Sequence, residues 1–218
     1  IIEDNEELRA FLQRKINLNH QVRGASNVSE GLEIAKDEVP DLIICDLMLN
    51  NESGFEIISA LKEDLRTSHI PIIILTAKSG QKEKLKGIKM GADDYITKPF
   101  DMALLLERIN TLLANRQKLR EHYLHELPIE QKTNSGSKID KRFVSEFTAL
   151  VEQNLSNPDF GVNELGKEMG LSRMQLYRKV KALLGYSVND YITSVRLKKA
   201  KHLILQDEYT ISEIAHAV

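Results

Sequence analysis

The chain has 218 residues, 42% apolar and 28% charged, which is too apolar for disorder, too scattered for a membrane span, and long enough for one or two domains. Its single Cys excludes a disulfide scaffold and a multi-cysteine zinc site, and favours a reducing compartment. The formal charge of −2 divides unevenly: residues 1–137 carry 18 basic and 22 acidic side chains, whereas residues 138–218 carry 12 basic and 10 acidic.

The chain opens on Ile1-Ile2-Glu3-Asp4, the tail of an apolar strand, with no initiator Met and no signal segment. Both ends are therefore expected to be cuts from a longer chain, which leaves targeting of the parent open. Further apolar runs follow: Leu42–Cys45 ending in Asp46, Ile72–Leu75 ending in Thr76, and Tyr95–Thr97 ending in Lys98. A weak strand is expected around Gln21–Gly24. Amphipathic helices are predicted between the strands, at Glu6–Ile16, Ser29–Glu38, Phe55–Asp64, Lys82–Met90 and Met102–Asn115. Continuous apolar strands alternating with helices predict a parallel sheet covered on both faces.

The polar residues all arrive at the carboxyl ends of strands, where open α/β sheets place their ligand sites. Glu3, Asp4 and Asp46 bring three carboxylates to one sheet edge, and their repulsion is resolved by a hard divalent ion with oxygen ligands, which Mg²⁺ fits. Thr76 and Lys98 add a hydroxyl and an ammonium. Together these are the parts needed to place a phosphoryl group on a carboxylate. Taken singly, each acid reads as a solvated surface group. Five suitable residue types at four strand ends argue otherwise. Cys45, alternating away from Asp46, reads as a small buried hydrophobe.

The acidic pair Glu3-Asp4, the segment Asp46-Leu-Met-Leu-Asn-Asn-Glu-Ser-Gly54, Thr76-Ala77 and Lys98-Pro99-Phe100 resemble the receiver domain of two-component response regulators, over about the first 115 residues. The resemblance implies a CheY-like (flavodoxin-like) five-stranded parallel sheet with Asp46 as phosphoacceptor. It implies Mg²⁺ held by Asp4, Asp46 and the carbonyl of Met48, with Glu3 assisting directly or through water. Thr76 and Lys98 would bind phosphoryl oxygens, Tyr95 would be the aromatic switch, and the Lys98-Pro99 bond would be cis. The sequence departs from the family at Asn50, where Pro is usual, and at Glu3, where Asp is commoner. Met48, two residues beyond Asp46, cannot orient an attacking water, so a comparatively long-lived acyl phosphate is expected. The same Met48 excludes the haloacid dehalogenase-like phosphatases, which need a second Asp there.

Helical periodicity continues past Leu113 toward Leu124, until Pro128 breaks it, and Gln131–Ser137 reads as a polar connector. The run from Leu112 to Glu121 resembles the segment after the receiver in hybrid sensor-kinase regulators, whose parent chains are membrane-anchored.

The second half reads as helices only. Phe143, Phe147, Leu150, Val151 and Leu155 recur at helical spacing up to Asn157-Pro158. Val162–Met169, the turn residue Gly170 and Ser172–Leu184 fit a helix-turn-helix, with Ser172 and Gln175 forming a capping box. Leu176, Val180 and Leu183/Leu184 line one face, and Met174, Tyr177, Arg178 and Lys181 the other, with Arg173 in the first turn. A long helix, Val188–Leu205, and a capping box at Thr210–Glu213 follow. Residues 171–201 hold eight basic side chains against the single acid Asp190.

Gly170-Leu-Ser-Arg-Met-Gln-Leu-Tyr-Arg-Lys-Val-Lys181, Val195-Arg-Leu-Lys-Lys-Ala200 and Thr210-Ile-Ser-Glu-Ile-Ala215 resemble the AraC-type DNA-binding domain over about residues 140–218. The resemblance implies Met174, Tyr177 and Arg178 facing bases, Arg173 and Lys181 meeting phosphates, and Val188–Leu205 as a rigid connector. Only the first helix of the second unit is present, so DNA binding by this stretch is expected to be weak at most.

The expected organisation is a receiver at 1–118, a helical extension and linker at 119–138, and an incomplete AraC-type domain at 139–218. The expected function is a cytoplasmic, phosphorylation-controlled transcription regulator rather than a dedicated enzyme. Its partners would be a histidine kinase, double-stranded DNA and a second copy docking through roughly Lys82–Asn115, with no membrane contact by this stretch. The competing expectation is a phosphorelay module whose helical domain is a docking scaffold.

Overall fold

The computed structural model describes residues 1–49, 52–77, 81–125 and 138–218, in two compact units, Ile1–Arg116 and Gln117–Val218. Asn50, the break expected at Pro128 and the connector Gln131–Ser137 lie outside the described residues.

The first unit holds strands β1 (Ile43–Asp46), β2 (Met48–Leu49), β3 (Glu52–Ser53), β4 (Ile72–Thr76) and β5 (Asp94–Thr97). Its helices are α1 (Glu6–Ile16), α2 (Val28–Glu38), α3 (Gly54–Glu63), α4 (Gln81–Lys89) and α5 (Met102–His125), the last running past the unit boundary. Strands β1, β4 and β5 pair in parallel in that order. Ile2 extends the sheet beyond β1, bridging Cys45 on one side and Ala25 on the other, both in parallel. The spatial order is thus Ala25, Ile2, β1, β4, β5, a doubly wound parallel arrangement.

Each apolar run deals its side chains alternately to the two faces, the period of a strand. Ile43, Cys45, Ile72 and Ile74 meet Ala35 of α2 and Ile57, Ile58 and Leu61 of α3. Ile44, Ile73, Leu75 and Ile96 meet Leu12 and Ile16 of α1 and Leu105 and Ile109 of α5. Asn side chains start the first two helices: Asn5 accepts the Leu8 N–H and Asn27 the Glu30 N–H, both at 2.9 Å.

Two local features differ from the sequence reading. The strand expected at Gln21–Gly24 reduces to a bridge at Ala25, because the stretch offers only Val22 as an apolar side chain. The antiparallel pair β2–β3, with Met48 opposite Ser53, has no periodic signal in so short a segment.

The second unit is helical: α6 (Lys138–Gln153), α7 (Val162–Glu168), α8 (Arg173–Leu184), α9 (Val188–Gln206) and α10 (Ile211–Ala217). Its core is Phe143, Phe147 and Val151 of α6, Leu165 of α7, Leu176, Val180 and Leu184 of α8, and Tyr191 and Ile192 of α9. Phe147 packs on Tyr191 with ring centroids 5.1 Å apart. The expected capping boxes start α8 at Ser172 and α10 at Thr210. Gly170 turns the chain between α7 and α8 at φ +64°, and Gly185 ends α8 at φ +80°, conformations that favour glycine. No described helix is long and apolar enough to cross a membrane.

Candidate functional site

Four chain segments deliver polar side chains to the carboxyl edge of the sheet. Glu3 and Asp4 follow the Ile2 bridge, Asp46 ends β1, Thr76 ends β4, and Lys98 follows β5. The Lys98 N–H donates to the Thr76 carbonyl at 2.7 Å, tying the last two segments together. The Lys98-Pro99 peptide is cis, as expected.

The carboxylate oxygens of Glu3, Asp4 and Asp46 lie within 4.8 Å of one another. Glu3 and Asp46 are buried at 1% and 5% exposure, too deep for water alone to screen their repulsion. Lys98 answers part of it, its Nζ standing 2.7 Å from Glu3 Oε2 and 2.6 Å from Asp46 Oδ2. Burial pushes the Glu3 carboxyl above its ordinary range, and the Lys98 ammonium only partly offsets it. Burial also works against the Lys98 charge, but the hydrogen bonds and charges of Asp46 and Glu3 outweigh it and hold the ammonium above its usual value. One ammonium among three clustered carboxylates leaves an excess of hard oxygen donors, the set that suits a hard divalent cation.

Asp46 is positioned through both oxygens: Oδ2 by Lys98, and Oδ1 by the Met48 N–H at 3.0 Å. The Met48 side chain is 53% exposed and contributes only its backbone here. Thr76 is fully buried at the end of β4. Tyr95 is half-buried and packs against the core on the α3 side of the sheet. Cys45 is fully buried, and burial beside Asp46 pushes its thiol up to about 12, an inert group as expected.

Two residues of this site had no role assigned from the sequence, although Gly54 closes the segment that begins at Asp46. Arg9 on α1 donates through Nη1 to the Glu3 carbonyl at 2.6 Å, holding the backbone of the acidic pair. Gly54, the first residue of α3, lies so close to β1 that a Cβ there would overlap the Asp46 carbonyl and stand 2.7 Å from Leu47 Cα. Nothing in the helical period of α1 separates Arg9 from a solvated charge, and a Gly opening a helix reads as a turn residue.

In the second unit, Arg173, Met174 and Tyr177 are exposed on α8, and Arg178 and Lys181 are half-buried. Met174 (56%) and Tyr177 (44%) are the exposed large hydrophobic side chains of α8. Two other basic residues of the same stretch are engaged within the unit, Lys179 buried and Arg196 half-buried. Lys179 is fully buried with its Nζ 2.7 Å from Asp140 Oδ1. Arg196 donates to the carbonyls of Leu155 at 3.0 Å and Asn157 at 2.7 Å. The spacing held a signal for Lys179: it lies three residues after Leu176 and next to Val180, on the apolar side of α8.

A model described as the response regulator receiver domain matches residues 1–110, and one described as a helix-turn-helix domain matches residues 165–218. Histidine kinase P4 of Formosa agariphila is 34% identical over 218 residues, all of this chain but 16% of that protein. Response regulator ArlR of Staphylococcus saprophyticus is 42% identical over 117 residues, 53% of this chain and 52% of that one. The chain thus spans a small part of the first relative and about half of the second. A CheY-like receiver domain protein from Methanospirillum hungatei matches in structure with a TM-score of 0.51 at 23% identity, over 54% of this chain and 93% of that one. That likeness concerns the fold.

Proposed function

The chain belongs to the response regulator receiver family, and from that premise we propose that it is a regulator whose DNA binding is controlled by phosphorylation of Asp46. The proposed division is a receiver at 1–118, an extension and linker at 119–138, and an AraC-type DNA-binding domain, incomplete here, at 139–218. The observation that carries the reading is the bridging of Glu3 and Asp46 by Lys98 at one sheet edge.

A histidine kinase supplies the phosphoryl group. An Asp46 carboxylate oxygen attacks phosphorus, the O–P bond forms as the P–N bond to the donor imidazole breaks, and the electron pair leaves with the imidazole. Lys98 then has its ammonium beside the oxygens of the transferred group, and Thr76 offers a hydroxyl donor at the same edge. Glu3, Asp4, Asp46 and the Met48 carbonyl would hold Mg²⁺, which when bound supplies positive charge to the phosphoryl oxygens. The new acyl phosphate biases a two-state receiver, with Thr76 and Tyr95 as the switch pair. The α4–β5–α5 side then favours a homodimer, which doubles the DNA contacts. Arg173 and Lys181 meet phosphates while Met174, Tyr177 and Arg178 face bases. The reaction serves regulation in the cytoplasm rather than turnover of a substrate.

The test is the mass of the chain before and after incubation with acetyl phosphate and Mg²⁺, beside Asp46→Asn. One phosphoryl group gained by the unaltered chain and none by the variant is the expected result. No gain by the unaltered chain refutes the acceptor assignment. For the second unit, Arg178→Ala weakens binding to duplex DNA if the helices read DNA, and leaves it unchanged if they are a docking scaffold.

A further inference from the structure

Eight basic side chains between residues 171 and 201 look like one electrostatic footprint, yet Lys179 is turned into the protein and the half-buried Arg196 is spent on backbone carbonyls. Lys179 has no exposed side-chain surface, and its Nζ lies 2.7 Å from Asp140 Oδ1 and 5.0 Å from the centroid of the Phe143 ring. Asp140 sits in the first turn of α6, and Lys179 in the middle of α8. At the other end of α6, Arg196 of α9 holds the carbonyls of Leu155 and Asn157, just beyond the helix. Between these two points Phe143, Phe147 and Val151 of α6 are buried, and Phe147 packs on Tyr191 of α9. Helix α6 is therefore fastened to α8 by an ion pair at its start and to α9 by a guanidinium at its end.

A buried ion pair is a poor way to add stability, because desolvating both charges offsets much of their attraction, and apolar side chains of similar volume serve as well or better. What it supplies is direction. An apolar contact tolerates rotation of a helix about its axis, whereas an ammonium within 3 Å of a carboxylate does not. Successive residues of a helix are about 100° apart, so fixing Lys179 inward fixes where Met174 and Tyr177 point, whereas Lys181, on its long flexible stem, reaches a phosphate from either setting.

We propose that Asp140 and Lys179 are positioning residues for DNA readout, with α6 a brace that sets the rotation of α8, and that Lys179 and Arg196 contribute nothing to the phosphate contacts. The inference rests on reading the second unit as DNA-binding. It sets Lys179 and Arg196 aside and leaves six basic residues as candidates for phosphate contact: Arg173, Arg178 and Lys181 on α8, and Lys198, Lys199 and Lys201 on α9.

The salt dependence of binding separates contact from positioning, since each phosphate contact adds about 0.9 to the slope of log K against log salt. The full chain is titrated with a random-sequence duplex DNA at several salt concentrations, beside Lys181→Ala, Asp140→Asn and the paired variant Asp140→Leu/Lys179→Met. The paired variant keeps the site filled and leaves no lone buried charge, so its foldedness, followed by circular dichroism, does not depend on the fate of Asp140→Asn. Lys181→Ala is expected to lower the slope by about one. The paired variant and Asp140→Asn are expected to bind several-fold more weakly in the folded state with the slope unchanged. The sign for Asp140→Asn is informative, because removing an acid that acted only through its charge would tighten DNA binding. A slope lowered by about one in the paired variant overturns the proposal by making Lys179 a phosphate contact. Unchanged affinity in the folded paired variant overturns it by reducing the pair to a packing element. Absence of binding by the unaltered chain at low salt removes the DNA-binding reading itself, and the proposal with it.

Discussion

Gly54→Ala sets two opposing effects against each other, and the distances decide which prevails. Alanine is a better helix residue than glycine by about 1 kcal/mol, and it restricts the unfolded chain, so at an open first-turn position the change would stabilise. Gly54 is not open. Its N–H donates to the Leu47 carbonyl at 2.9 Å, and an added Cβ would overlap the Asp46 carbonyl and lie 2.7 Å from Leu47 Cα. Ordinary contact begins near 3.4 Å, and the atoms in the way are backbone rather than the end of a flexible side chain. More than 0.7 Å of separation between α3 and the end of β1 must open, because the Asp46 carbonyl lies closer still than Leu47 Cα. That puts the strain in the upper part of the overpacking range, about 2–3 kcal/mol, above the helix preference. The expected net loss is about 1–2 kcal/mol in receiver stability, read by urea unfolding. The displaced segment is the one that carries the acceptor. A misplacement of about 1 Å can cost roughly 100-fold in rate, so phosphoryl uptake from acetyl phosphate is expected to fall about 10-fold or more. An alanine variant as stable as the parent and phosphorylated at the same rate would refute the reasoning, and would mean that the approach of α3 does not position Asp46.

Lys98→Met removes the cation that bridges Glu3 and Asp46. Divalent-cation affinity, measured by calorimetry, is expected to rise several-fold while phosphoryl uptake falls by roughly 100-fold, because a donor to the developing charge is lost. Weaker cation binding would contradict this. Asp64→Asn tests the bidentate pair in which Arg66 Nε and Nη2 hold the two Asp64 oxygens at 2.9 and 2.6 Å. The Arg66 hydrogen bonds hold the Asp64 carboxyl at about 2, below the ordinary 3.8 of an aspartate, so the pair stabilises the fold above pH 4 and loses that contribution as pH falls toward 2. Discounted for the partly exposed guanidinium, the loss in Asp64→Asn is expected to be about 1 kcal/mol at pH 7 and to vanish near pH 2, seen as converging unfolding midpoints. Ser172→Ala removes the hydroxyl that accepts the Gln175 N–H at 3.3 Å. It is expected to cost about 1 kcal/mol of second-unit stability in thermal unfolding, and an unchanged melt would show that water replaces the cap.

Much of the architecture was legible because it is local. A strand buried on both faces is a short run of β-branched residues wherever it occurs, and Ile43–Asp46 and Ile72–Thr76 carry that signature in four or five positions. Capping boxes at Ser172 and Thr210 span four residues, so they read equally well before and after folding. The residues of the acidic site were legible for the same reason, since each ends an apolar run. The strand expected at Gln21–Gly24 is only a bridge at Ala25, because one apolar side chain, Val22, is too little to pack a strand there.

The chain by itself therefore determined the main alternation of strands and helices, most helix boundaries though not the end of α6 at Gln153, and the identity of the charged residues at strand ends. Which charges meet was decided only by tertiary structure. Lys98 and Glu3 are 95 residues apart, Lys179 and Asp140 39, and Arg196 and Leu155 41. A lysine is the same letter whether water or a carboxylate satisfies its charge, and the choice depends on which surfaces the packed core brings together. The same holds for Gly54, whose missing side chain acquires meaning only against the backbone of Asp46 and Leu47.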